Sequence, residues 1–80
     1  MKNLVETMVR AIVDKEDCVV VKEVGGSSTS IIDITVDKSD LGKVIGKQGK
    51  NAQSIRNIIY AAAFKTKKRY TVDIKSDEDE

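Results

Sequence analysis

The chain of 80 residues has no proline, tryptophan or histidine, one phenylalanine and one cysteine. Without proline, its turns must depend on Gly, Asn, Asp and Ser. Without histidine, the commonest general acid or base is missing, and Cys18 has no second cysteine with which to form a disulfide or a zinc site. Aromatic platforms are scarce. These absences predict that the protein is not an enzyme and needs no cofactor or metal.

Long apolar runs are also missing. The apolar pair Leu4-Val5 is followed at once by Glu6, so the N-terminus does not resemble a signal peptide, and no stretch is long enough to span a bilayer. We therefore expect a cytoplasmic protein without a membrane partner. The length allows one domain, and 40% hydrophobic residues are enough for a small core.

The net charge of +1 conceals an uneven distribution of charge. Residues 1–37 contain four basic and seven acidic side chains, whereas residues 38–69 contain nine basic and one acidic. Residues 70–80 are again acidic, with one basic and five acidic side chains. A central basic segment between acidic flanks indicates an anion-binding region, although the same charges would suit an ordinary solvated helix face.

The first half of the chain predicts a helix and a hairpin. An apolar stripe at helical spacing predicts a helix over residues 3–14, with Asn3 as its N-cap and Glu6 three residues later. Residues 18–24, which include Cys18, are rich in β-branched side chains and predict a strand. Residues 29–36 alternate between apolar and polar side chains, so the two strands should form an antiparallel hairpin around Gly25-Gly26.

The second half predicts two helices and a strand. Asp37 is a candidate N-cap for a short helix ending at Gly46, with Asp40 near its positive dipole end. A longer helix begins after Gly49, and alternation over residues 70–74 predicts a third strand.

The resulting order, α-β-β-α-α-β, predicts an α+β domain in which three helices pack on one face of a three-stranded sheet. We expect this domain to cover residues 1–75. Residues 76–80 form an acidic segment that has no reason to fold.

One motif suggests a binding chemistry, Gly46-Lys47-Gln48-Gly49 between the two later helices. Glycine lets a ligand approach the backbone closely, and the free N–H groups at the start of the next helix attract anions. Lys47 and Lys50 add full positive charges, and Lys43 lies one turn earlier. By itself, a G-x-x-G string also fits a plain linker between helices.

Residues 42–47 look briefly like a nucleotide-binding P-loop. The spacing is one residue short, however, and Gln48 stands where Ser or Thr should bind magnesium. We therefore reject nucleotide hydrolysis.

Residues 44–55, with an aliphatic pair before G-x-x-G and a helix after it, resemble the signature of KH domains. The element order resembles the type II arrangement, and the chain is similar to the small stand-alone bacterial KH proteins of the KhpA (YlqC) family. The resemblance implies binding of single-stranded RNA, with base stacking on aromatic side chains of little importance. The residues that it implies for RNA binding are Gly46, Lys47, Gln48 and Gly49 as the backbone clamp, Lys43 and Lys50 as flanking charges, and Val44 and Ile45 at the base groove or in the core.

Two further questions stay open at this stage. The basic residues 65–69 could contact phosphates or simply compensate a helix C-terminus. The long helix carries apolar residues on more than one face, from Ile55 to Phe64. This favours an alternative in which the fold is a pairing module, and the resemblance implies a homodimer or a heterodimer with a Jag-type KH protein.

Overall fold

The computed structural model describes residues 1–77 and contains three α-helices and three strands. Across this range, no helix combines the length and hydropathy that a transmembrane span requires. Short 3₁₀ turns separate several of the elements. The α-helices and strands are α1 (Lys2–Arg10), β1 (Val20–Gly25), β2 (Thr29–Val36), α2 (Leu41–Ile45), α3 (Lys50–Phe64) and β3 (Arg69–Ser76). The expected α-β-β-α-α-β order is confirmed.

The three strands form one mixed sheet in the order β1-β2-β3. β1 and β2 pair antiparallel, with Val24 opposite Ile31, as the hairpin prediction required. β3 pairs parallel to β2, with Val72 opposite Ile32. A parallel pair needs a crossover connection, and the segment containing α2 and α3 provides it.

The core lies on the helix-covered side of the sheet. Alternate residues of β2 point into it, and Ile32, Ile34 and Val36 are fully buried, while Ile31, just before them, is exposed. The helices complete the core with residues at helical spacing, because burial of one apolar stripe is what stabilises an amphipathic helix in a small domain. These residues are Val5 and Val9 of α1, Val44 of α2, and Ala52, Ile55, Ile59 and Ala63 of α3.

The first helix differs from its prediction at both ends. It begins after Met1, so the proposed Asn3 cap is wrong: Asn3 lies within the helix and its carbonyl accepts a hydrogen bond from the Thr7 hydroxyl at 2.9 Å. The helix ends at Arg10, yet Val13 is still buried. The apolar stripe continued beyond the helix because the following turn also faces the core.

The first strand begins at Val20, two residues later than predicted. Cys18 lies in a 3₁₀ turn (Glu16–Cys18) and is half-buried, so its assignment to a strand is wrong. Val19, just after this turn, is buried. A run of β-branched residues therefore marked burial correctly but not the point at which sheet pairing starts.

The ordered chain extends past residue 75. Ser76 belongs to β3 and is buried, and the Asp77 N–H donates a hydrogen bond to the Val36 carbonyl at 2.9 Å. These two residues, which the sequence placed in the acidic segment, are thus part of the folded domain. The rest of that segment, residues 78–80, lies outside the described residues.

Candidate nucleic-acid interface

The loop between α2 and α3 is a tight turn built on left-handed backbone conformations. Gly46, Gln48 and Gly49 have φ angles of +77°, +57° and +76°. The Gly46 N–H donates to the Gly42 carbonyl at 2.8 Å, and the Gly49 N–H donates to the Gly46 carbonyl at 3.1 Å. Gly46, with ψ of 173°, lies in a region that is essentially restricted to glycine. Gln48 and Gly49 lie in the left-handed helical region, which other residues enter at a cost of about 1 kcal/mol.

The two glycines differ in their surroundings. A Cβ atom on Gly46 would lie 2.7–2.8 Å from the side chain and backbone of Asn51, so the site has no room for one. A Cβ atom on Gly49 would meet no atom within 4 Å. The Asn51 amide also donates to the Lys43 carbonyl at 2.8 Å. Asn51, which the sequence did not single out, therefore holds α2 and α3 together across the turn.

The charged and polar tips of this turn face solvent. Lys47, Gln48 and Lys50 are exposed, and neither lysine forms an ion pair with another residue in the described part of the chain. The N-cap of α3 is Gly49, which has no side chain to cap the first N–H groups of the helix. The Lys50 N–H donates to the Lys47 carbonyl, so the turn itself satisfies the first N–H group of α3. The glycine backbone and the two ammonium groups without ion-pair partners together suit a phosphodiester.

Lys43 is engaged within the protein, in contrast to Lys47 and Lys50. Its ammonium group donates to the Asp14 carboxylate and lies 3.8 Å from Asp40 Oδ1. The hydrogen bond to Asp14 raises the pKa of Lys43. Its charge is thus compensated locally, and a phosphate would have to compete with Asp14 for it.

Asp40 is the buried anchor of this region. Its side chain is only 1% exposed and accepts the backbone N–H groups of Asp14 and Lys15 at 3.2 and 2.9 Å. Asp40 lies at the N-terminus of α2, near the positive end of the helix dipole as the sequence predicted, and these contacts show that it also ties the segment after α1 to the start of α2.

Asp37 acts as the predicted N-cap, at the 3₁₀ turn (Lys38–Asp40) that leads into α2. Its carboxylate accepts the Ser39 N–H at 2.9 Å and the Ser39 hydroxyl at 2.6 Å. These hydrogen bonds, with the charge of Lys15, lower the pKa of Asp37. The carboxylates of Asp37 and Asp77 also lie near the Cys18 thiol, with ligand atoms within 4.8 Å of one another.

The two aliphatic residues before the loop have different environments. Val44 is 0% exposed and belongs to the core, whereas Ile45 is 37% exposed. The sequence left both alternatives open for this pair. Only Ile45 presents apolar surface that a ligand could contact.

The basic residues 65–69 lie at the opposite end of α3 from the loop. The 15 residues of this helix separate the two sites by roughly 20 Å along its axis. The basic connection is therefore not part of the immediate surroundings of Gly46–Gly49.

Comparison with known proteins agrees with this geometry. The family described as "KhpA/KhpB, KH domain" matches residues 2–74. A protein of Caldanaerobacter subterraneus named RNA-binding protein KhpA is 50% identical over 92% of this chain and 99% of its own length. Proteins of the same name from Clostridium acetobutylicum and Aquifex aeolicus are 49% and 42% identical, each over 92% of this chain and covering 99% and 94% of their own lengths.

A solved structure shares the fold at low sequence identity. It is the crystal structure of Era in complex with MgGDPNP and nucleotides 1506-1542 of 16S ribosomal RNA. The match has a TM-score of 0.62 and 15% identity, and it covers 94% of this chain but 29% of that one. The expected resemblance to small bacterial KH proteins is thus confirmed, and the chain belongs to the KH-domain family of KhpA and KhpB.

Proposed function

We propose that this protein binds single-stranded RNA through the Gly46–Gly49 loop and serves in the cytoplasm as an RNA chaperone or post-transcriptional regulator. The observation that carries the proposal is the loop itself, which presents a glycine backbone and two lysines without ion-pair partners on one exposed turn at the N-terminus of α3. The names of the relatives, RNA-binding protein KhpA, support it.

In this proposal the backbone of the RNA lies against the turn. Phosphate oxygens lie at the N-terminus of α3, where the helix dipole is positive, and Lys47 and Lys50 add charge attraction. Gly49 has open space around it, which lets the sugar-phosphate chain approach the protein backbone. Ile45 offers the exposed apolar surface next to the turn for a base, while Val44 supports it from the core.

The test is the double substitution of Lys47 and Gln48 with Asp. Both residues are exposed and both glycines are retained, so the fold should be preserved. Each new carboxylate at about 4 Å from a phosphate costs about 1 kcal/mol in water and several-fold more near a protein surface. We expect binding of single-stranded RNA to fall below detection in a titration, with circular dichroism and melting temperature unchanged.

A matched control changes the same net charge elsewhere. Lys22 and Ser27 are exposed on the β1–β2 hairpin, and their double substitution with Asp should leave RNA binding close to that of the wild type. Wild-type affinity should also decrease with salt along a shallow slope, since few phosphates are neutralised. Unchanged binding by a folded Lys47/Gln48 variant would reject the loop as the clamp.

A second candidate function is pairing, either with another copy or with a Jag-type KH protein. Ile58 of α3 is 46% exposed, and the small side chains of Ala61 and Ala62 lie one turn further along. Ile55 and Ile59, by contrast, are buried in the core. Ile58 therefore offers an apolar contact that the monomer does not use.

Sedimentation at tens of micromolar tests homodimer formation. We expect the wild type to sediment at about twice its 8.8 kDa mass and the Ile58→Asp variant at 8.8 kDa. A wild-type protein that stays monomeric throughout this range would reject the homodimer and leave a different KH protein as the partner to test.

A further inference from the structure

The three aromatic residues of the whole sequence converge on one open groove. They come from separate positions, Tyr60 and Phe64 near the end of α3 and Tyr70 near the start of β3. The groove has a volume of about 700 Å³, within the range typical of ligand sites. We call it the aromatic groove and define it by Tyr60, Phe64, Lys67, Lys68, Arg69 and Tyr70.

Two of the three rings are available to a ligand. Phe64 is 85% exposed and Tyr60 is 46% exposed. Such exposure is unusual for large aromatic side chains, which are mostly buried in folded proteins. Tyr70 is half-buried, and the Lys68 ammonium lies 5.6 Å from the centre of its ring. Lys68 is also 3.8 Å from Glu23. Tyr70 and Lys68 are thus held in place by contacts within the protein, whereas the rings of Phe64 and Tyr60 are exposed to a ligand.

The free charges around the groove are positive. Lys67 and Arg69 are exposed and form no ion pair with any other residue between positions 1 and 77. No acidic side chain of the described chain lines the groove, and Glu23, which contacts Lys68 and Tyr70 from outside it, compensates only Lys68. Its ligand should therefore be an anion that also offers flat aromatic surface.

The backbone at Lys67 gives a further indication. Its φ angle is +57°, a left-handed conformation that commonly follows the last turn of a helix and is usually occupied by glycine. A lysine there costs about 1 kcal/mol relative to glycine. An unfavourable backbone conformation that presents a charge at a groove supports a functional use of that charge.

We propose that the aromatic groove is a second contact site for single-stranded RNA, in which a base stacks on Phe64 and Tyr60 while Lys67 and Arg69 hold the adjacent phosphates. Stacking on aromatic side chains beside a basic surface is a general way to bind single strands without sequence preference. The inference rests on the proposed function and extends it, because the sequence alone led us to expect little stacking.

A second copy of the protein fits this groove less well. A two-fold pair through this face would set two copies of the same positively charged surface against each other, and like charges in an interface oppose association. Ile58 lies six residues before Phe64 and hence on a different side of the helix, about 120° away. Pairing through Ile58 would leave the aromatic groove open.

One RNA strand can reach both sites along α3. Arg56, Tyr60 and Phe64 are spaced four residues apart and form a ridge that runs from the loop end of the helix to the groove. Arg56 has no ion-pair partner among the residues that the structure describes. A strand held at the Gly46–Gly49 loop would thus pass a cation before reaching the first aromatic ring.

The experiment compares two lengths of unstructured RNA, a strand of about four nucleotides, which suits the loop alone, and one of roughly 12. We expect Phe64→Ala and Lys67→Gly each to weaken binding of the long strand about tenfold and to leave binding of the short strand unchanged. Lys22→Ala, which removes an exposed charge from β1, is the matched control and should change neither. Short-strand binding is followed by NMR shifts of the Gly46 and Gly49 amides.

A fluorescent variant observes stacking directly. The sequence has no tryptophan, so Phe64→Trp introduces a single indole into the aromatic groove. We expect this variant to bind the long strand at least as well as the wild type, with its fluorescence quenched by the long strand and unaffected by the short one. The proposal would be overturned if Phe64→Ala bound the long strand as tightly as the wild type does. It would also be overturned if the indole of Phe64→Trp stayed unquenched when the long strand was bound.

Other outcomes separate this inference from the proposed function. If the Lys47/Gln48 double variant loses short-strand binding while Phe64→Ala leaves long-strand binding intact, the loop is the clamp and the groove is not a site for RNA. If the mass of Phe64→Ala without RNA falls to that of the monomer, the groove is a pairing surface and the proposal is wrong. If the wild type binds neither strand, the proposed function fails as well.

Discussion

The two ends of α3 offer anion-binding surfaces of opposite construction. At the N-terminal end, the Gly46–Gly49 loop presents backbone N–H groups and has no aromatic residue. At the C-terminal end, the aromatic groove presents rings and basic side chains, and its left-handed residue is Lys67 instead of glycine. The first surface depends on a backbone path and the second on side chains. Substitutions of the loop glycines should therefore affect folding at the first end, whereas substitutions of the exposed rings should affect mainly binding at the second.

The sharpest test of this comparison uses the two glycines of the loop. Gly46→Ala should lower the free energy of unfolding by about 3 kcal/mol, because a left-handed alanine is strained and its Cβ would collide with Asn51. Gly49→Ala carries the strain without the collision, so it should cost about 1 kcal/mol. Urea denaturation of the two variants measures both values, and equal losses would contradict the role given to Asn51.

The next effect concerns the anchor behind the loop. Asp40→Ala should destabilise the protein by about 2 kcal/mol, since it deprives the Asp14 and Lys15 N–H groups of their acceptor. Asp40→Asn retains one side-chain oxygen and should lose less. Because Asp40 immediately precedes α2, amide exchange in the loop should accelerate in the alanine variant more than exchange in the aromatic groove does. If amide exchange accelerated equally in the loop and in the aromatic groove, Asp40 would stabilise the whole fold and not the loop in particular.

A smaller effect of opposite sign is expected at the other end of the helix. Lys67→Gly should raise the free energy of unfolding by about 1 kcal/mol, because glycine relieves the left-handed conformation. The same variant should bind long RNA more weakly, so stability and binding would change in opposite directions. A thermal melt measures the stability change. A loss of stability would mean that the Lys67 side chain contributes packing that outweighs its backbone strain.

The smallest effect is a pH dependence of stability that comes from Asp37, the cap before α2. The folded-state pKa of Asp37 is lowered by its bonds to Ser39, so its contribution to stability is present above the usual carboxyl range and is lost as the pH falls through the lowered value. The melting temperature of Asp37→Ala should lie below that of the wild type near neutral pH and converge with it in acid. Asp37→Asn, which can cap without titrating, is the control. If the difference in melting temperature between Asp37→Ala and the wild type persisted unchanged in strong acid, ionisation of Asp37 would not be its cause.

The sequence predicted those parts of the fold that follow from local patterns. Strict alternation placed β2 at residues 29–36 with the correct inward side chains, and two glycines around two polar residues located the turn between the later helices. The Asp37 cap was also local, since its partner is two residues away. The ends of α1 and β1 were missed because apolar residues continue into turns that face the core.

The contacts that could not be predicted are those that join distant segments. Asp40 accepts bonds from residues about 25 positions earlier, and nothing in the pattern around it distinguishes such an anchor from a residue near a helix start. The aromatic groove joins segments that are close in the sequence, since Phe64 and Tyr70 are six residues apart, but the path of the turn between them decides whether the rings meet. The resemblance to KH domains implied that stacking on aromatic side chains matters little, whereas the positions of the three rings in space decide whether they can act together.

The parallel pairing of β2 with β3 also bears on the order in which the protein folds. The 32 residues of positions 37–68 separate these neighbouring strands, whereas three residues, 26–28, separate β1 from β2. Closing the longer connection costs more chain entropy, and this entropy is lost before the contacts between β2 and β3 can form. The hairpin should therefore form early and β3 should dock late. The Gly46–Gly49 turn can form locally, within a helix pair that needs no β3. The aromatic groove, which includes the first residues of β3, comes into existence only with that last strand, and it would be the first surface to vanish whenever the strand detaches.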